Sequence, residues 1–147
     1  MSRTFFAALR CLGAGLVGFV AISLGTALVL EVWFPNVTFH GSSITVLVVS
    51  GLANFVVGIA GGAVAAALGG RWPLASAAVI GGFVTLDTIA ILRSNRFNDP
   101  AWFTLLAGVG LLTAALLGGW LVRRYREGRH REFGGASSTS AYRSNAP

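Results

Sequence analysis

Residues 51–93 contain two long apolar runs separated only by Arg71-Trp72-Pro73. Each run is long enough to cross a hydrocarbon core of roughly 30 Å as a helix. The connection has the grammar of a tight helical hairpin. Gly69 and Gly70 close one helix, and Pro73 opens the next. Both arms carry Gly and Ala at helical spacing, and the second arm holds one carboxylate, Asp87, well inside its apolar run.

The rest of the chain is compatible with a membrane and with little else. Only 11% of its 147 residues are charged, against 54% hydrophobic, and its mean hydropathy is +0.73. A soluble domain is about 25% charged, so this chain lacks the polar surface that water would require. Residues 11–30 are free of charge and form a first span. They read as a retained helix, because TALVLEVWFP offers no small-residue cleavage site. Further spans are expected at 44–68, 74–92 and 101–122. Together they make an all-α polytopic membrane domain over residues 1–122, four helices in an up-down bundle. A basic juxtamembrane segment follows at 123–133. Residues 134–147 have too few apolar groups to fold and are expected to be disordered.

Four spans put both termini on one side. All eleven basic residues are Arg. Arg3, Arg10, Arg71 and five Arg within residues 123–131 fall on that side, against Arg93 and Arg96 on the other. The positive-inside rule makes the richer side cytoplasmic, as for a bacterial inner-membrane protein. Trp33 and Trp102 then mark the outer boundary, and Trp72 and Trp120 the inner one, as an aromatic belt requires. Arg123, Arg124, Arg126, Arg129 and Arg131 are placed to touch anionic lipid headgroups. The net charge of +6 could suit nucleic acid, but no aromatic-basic surface accompanies it, and no nucleic-acid partner is expected.

Lipid supplies no hydrophobic drive between helices, so small residues must let the backbones approach. Gly51, Asn54, Gly58, Gly61 and Ala65 form one stripe of the second span, with Gly58 and Gly62 in a GxxxG pair. The fourth span offers Ala107, Gly110, Ala114 and Gly118; the first offers Gly15, Gly18, Ala21 and Gly25; the third offers Ala77, Gly81, Thr85 and Thr88. Gly58, Gly61, Gly62, Gly110 and Gly118 are the expected packing positions, and Val57 is expected to face lipid.

Gly61-Gly62-Ala63-Val64-Ala65 running to Arg71 and Pro73, and Pro100-Ala101-Trp102 running to Ala115-Leu116-Leu117-Gly118-Gly119, carry a resemblance. Over most of residues 13–122 the chain resembles small bacterial four-span membrane proteins of uncharacterised activity. The resemblance implies the fold and transfers no site.

Candidate chemistry centres on Asp87, with Asn54 as its expected partner on the neighbouring helix. Arg93 is six residues on, too far for an i,i+4 ion pair. An intramembrane carboxylate costs about 2.5–3.5 kcal/mol on insertion scales and ordinarily faces the bundle interior. Asp87 is therefore expected to point inward, toward the second helix. It serves there either as hydrogen-bonded glue between helices or as a proton or ion relay. Glu31 and His40 are loop residues whose default is solvation. Asn36-Val37-Thr38 matches a glycosylation sequon, a pattern common by chance. There is no phosphate-binding Gly-rich motif, no HExxH and one cysteine, Cys11. No catalytic, cofactor or metal site is expected. Two functions remain open: a non-enzymatic accessory or assembly protein of the membrane, and a minimal oligomeric transporter or channel using Asp87, which expects Asp87, Asn54 and Arg93, with Glu31 as a further candidate, to line one water-accessible cavity. Candidate partners are the bilayer itself, a homo-oligomer or a larger membrane complex.

Overall fold

The computed structural model describes residues 3–35, 37–38, 40–70, 72–94 and 100–143, with side chains from residue 4 to residue 129 within these segments. The elements among the described residues are all helices, in the order α1 (Arg3–Ala27), a π-helical continuation (Leu28–Trp33), α2 (Ile44–Leu68), α3 (Pro73–Ser94) and α4 (Ala101–Arg143). Four segments are long and apolar enough to cross a membrane: Thr4–Trp33, Ile44–Leu68, Pro73–Ser94 and Ala101–Arg129. A helix suits such segments because it bonds every interior N–H and C=O within itself, and lipid offers those groups no alternative.

The helix ends have local causes. Ser43 caps α2, its hydroxyl accepting from the Val46 N–H at 3.4 Å. At the other end Gly70 has φ +69°, the left-handed conformation that terminates a helix cheaply only at glycine. Pro73 then begins α3, as the hairpin grammar requires. The first span does not end at residue 30. Its backbone shifts to π pairing, and the Phe34 N–H donates to the Val29 carbonyl five residues back at 2.9 Å. Glu31, expected in the loop, therefore lies on the helix. A charge ends an apolar run without ending a helix, and Arg10 inside α1 makes the same point.

The tail also departs from expectation. α4 continues to Arg143, so residues 134–143, read as disordered, carry on the helix; residues 144–147 lie outside the described residues. Pairs one turn apart staple its start. Arg123 binds Glu127 at 2.7 Å, and the Arg124 and Arg129 guanidinium groups lie 5.2 and 5.7 Å from the Trp120 and Tyr125 ring centres. Extension from a formed helix is far cheaper than nucleation.

α2 and α3 form the inner pair of the bundle. Each touches the other and both outer helices, whereas α1 and α4 do not meet among the described residues. The core is small and apolar: Ile22, Ala65, Ile80, Val84 and Ala115, with Phe19 and Leu111 against it. Glycine sets the spacing. A Cβ at Gly58 would lie 2.7 Å from the Ala114 Cβ, and one at Gly61 would run into Ile22. At Gly62 and Gly118 the obstacle is backbone, the Ala115 carbonyl and the Ile59 carbonyl respectively. Two expected positions fail. Gly110 and Gly51 have nothing within 4 Å of a would-be Cβ, because α2 and α4 approach along the faces carrying Gly58, Gly62, Ala115 and Gly118. Gly108 makes the contact instead, against Thr88. Val57 is not a lipid-facing control site, since it packs into the notch at Gly25.

Candidate functional site

The α1–α3 seam determines where Asp87 sits. Along both helices the residue numbers rise together: Gly15 faces Val79, Gly18 faces Ile80, and the Phe19 and Phe83 rings lie 5.3 Å apart. The continuation Leu28–Trp33 contacts α1 and α2 but not α3. Asp87 is seven residues past Ile80 and so lies on the same stripe of α3. Ile80 is fully buried, yet Asp87 is exposed. The inward orientation expected for Asp87 is thus overturned. Its stripe on α3 is the inward one at Ile80, but the packing leaves Asp87 itself uncovered.

The predicted partners do not assemble around it. Asn54 is half-buried on α2, and its Oδ1 is sealed off without a hydrogen bond, so the expected Asn54–Asp87 bond is absent. Arg93 and Glu31 are exposed near the ends of their helices. The hydroxyls flanking Asp87 are committed to their own helix, Thr85 to the Gly81 carbonyl at 2.7 Å and Thr88 to the Val84 carbonyl at 2.8 Å. On α1, the Thr26 Oγ1 is buried and unpartnered. Ser23, one turn beyond Phe19, is exposed. No group of three His, Cys, Asp or Glu among the described residues could hold a metal. His40 is exposed in the loop, while Asn36 and the His130 side chain lie outside the described residues.

At the other end of the bundle two arginines do work that the sequence did not announce. α2 has no basic residue in its last turn, and its final carbonyls need donors. Arg10 of α1 supplies one, its Nε donating to the Leu68 carbonyl at 3.0 Å. Arg126 of α4 supplies two, to the Gly70 carbonyl at 2.6 Å and the Ala67 carbonyl at 2.8 Å. Cations here also oppose the negative end of the helix dipole. Arg126, expected at lipid headgroups, is therefore a helix clamp; Arg123 is bound to Glu127, Arg124 and Arg129 lie against rings, and the Arg131 side chain is outside the described residues. The basic residue nearest this turn in sequence, Arg71, lies outside the described residues, and nothing local announced that Arg10 and Arg126 would be recruited. An open groove of about 470 Å³ lies beside this clamp, between Trp72, Pro73, Leu74, Arg123, Arg126 and Glu127.

The chain matches no family model, no curated protein and no solved structure.

Proposed function

We propose that this chain is a multi-pass protein of a bacterial inner membrane, an up-down four-helix bundle with both termini cytoplasmic. In this reading it acts without catalysis, as an accessory or assembly subunit that meets other membrane proteins through its sides. The observation that carries the reading is the placement of Asp87. The core is apolar, and Asp87, the carboxylate set well inside the apolar run of α3, is exposed on the outside of the bundle. Intramembrane charge serving transport belongs on an internal path, whereas charge on the flank serves a lateral contact. The contact register supports the up-down arrangement: numbers rise together along α1 and α3, and in opposition along α1 and α2, where Gly18 meets Ala65 and Gly25 meets Val57. The asymmetry of Arg supports the orientation. The basic groove beside Trp72 supports contact with anionic headgroups at the cytoplasmic face.

The test pairs native electrophoresis of gently solubilised membranes with flux measurements in proteoliposomes. The expected result is a species larger than one chain, with no proton or ion flux that depends on Asp87. A lone monomer whose proton flux is abolished by Asp87→Asn would replace this reading with the relay.

A further inference from the structure

We infer that the groove between the start of α3 and the basic part of α4 seats the headgroup of one anionic phospholipid, held by its phosphate. The inference rests on the reading that this end of the bundle faces the cytoplasmic leaflet. It replaces a general attraction between arginine and lipid with a defined site. The groove holds about 470 Å³, within the range of roughly 300–1,000 Å³ usual for ligand sites. One wall is the start of α3, with Trp72, Leu74 and Ala75; the other is α4, with Arg123, Arg126 and Glu127. The spans set its depth. α2 ends at Leu68 and α3 begins at Pro73, so the groove lies where their apolar runs stop. Trp72 is exposed there, as an aromatic residue at the membrane boundary should be.

Both walls favour a phosphate. Leu74 and Ala75 belong to the first turn of α3, whose N–H groups have no carbonyl of their own helix to bind. The same end carries the positive pole of the helix dipole. Across the groove, the Arg123 guanidinium has five N–H donors. Among the described residues it spends only its Nε, on Glu127. The other donors remain for a phosphate, which arginine can hold through two parallel bonds. Arg126 is already fixed by the Gly70 and Ala67 carbonyls, so it adds charge to the wall without a further ordering cost. Charge decides the class of headgroup. Arg123 and Arg126 outweigh the single carboxylate of Glu127 by one positive charge, before the helix pole is counted. A phosphodiester bearing a neutral polyol has one net negative charge and meets that surplus. A headgroup that also bears an ammonium does not. A lipid is already confined to the boundary where the groove lies, so it holds the site against phosphate free in solution.

The experiment titrates the full chain in neutral detergent with phosphatidylglycerol, phosphatidylethanolamine or inorganic phosphate. Native mass spectrometry reads bound lipid, and the melting temperature rises when a ligand binds only the folded state. The expected result is one saturable phosphatidylglycerol per chain, with phosphatidylethanolamine weaker and inorganic phosphate unable to displace it. Arg123→Gln and Arg124→Gln each remove one positive charge, but only Arg123 lines the groove. Arg123→Gln should weaken binding on the order of tenfold more than Arg124→Gln, as expected for losing charge-assisted hydrogen bonds. Ala75→Asp should abolish binding while the lipid-free melting temperature holds. A carboxylate suits the first turn of a helix, but here it takes the place of the phosphate. Equal effects of the two arginine variants, or binding that survives Ala75→Asp, would reduce the site to diffuse attraction and overturn the inference. Equal binding of phosphatidylethanolamine, or displacement by inorganic phosphate, also overturns it. Reporter fusions read orientation separately, so an inverted bundle and a failed titration are distinguishable.

Discussion

Gly70 and the two arginines beside it form the tightest constraint on single residues. Gly70 sits at φ +69°, and a Cβ there would lie 3.2 Å from the Arg10 Cζ. Gly70→Ala therefore meets an unfavourable backbone conformation and a neighbour that holds the Leu68 carbonyl. It should cost about 1–2 kcal/mol, read as a lower melting temperature in detergent. Arg126→Ala strips two carbonyls of a charged donor and should cost about 1 kcal/mol, less than a buried site because water reaches this end. Arg126→Lys should recover only part, since an ammonium lacks the planar fork that reaches both oxygens. Equal melting of all three variants and the parent would show that α2 ends without help from α1 and α4.

Between elements, the decisive distinction is whether a glycine faces a side chain, a backbone or nothing. Gly62 and Gly118 lie on the carbonyls of Ala115 and Ile59, and backbone cannot rotate aside as a side chain can. Gly62→Ala and Gly118→Ala should each destabilise by about 1–3 kcal/mol through overpacking. Gly82 and Gly110 have nothing within 4 Å, so Ala at either should be neutral or stabilising by up to about 1 kcal/mol through helix propensity. Thermal melts of the four alanine variants check this directly. Similar losses at Gly110 and Gly62 would mean that α4 is rotated from the face described above. Leu at exposed Val56 is the proper control for the contact face of α2, in place of Val57.

For the whole molecule, the arginine asymmetry and the helix ends bear on orientation together. A periplasmic phosphatase fused after Arg131 should be inactive, and one inserted at Gly41, in the exposed loop before α2, should be active. The reverse pattern would invert the bundle. Once Arg126 is assigned to the α2 clamp, Arg123, Arg124 and Arg129 remain for headgroups among the described side chains. Their joint replacement by Gln should reduce the anionic lipid retained by the full chain in nanodiscs, at about 1 kcal/mol per Arg. Retention that ignores both the substitutions and added salt would remove the electrostatic account.

How much of this was legible follows from the range of each interaction. Hydropathy and turn chemistry are local, so residues 44–68 define α2 as it stands, and Gly69, Gly70 and Pro73 define the hairpin. The packing glycines at 58, 61, 62 and 118 were readable because a small residue at helical spacing has one dominant use in lipid. Gly110 and Gly51 show the limit, since the same pattern sits equally well on a face that no helix meets. The Arg10 and Arg126 clamp was hidden because its partners are 58 and 56 residues away in sequence. Asp87 is the sharpest case. Periodicity assigns it to the stripe of buried Ile80, and on α3 alone that is correct. Whether a stripe is covered depends on how the neighbouring helices pack, which no local pattern encodes. Sequence determined that this carboxylate lies within a span; only the tertiary packing, which buries Ile80 and leaves Asp87 exposed, decided that it faces outward.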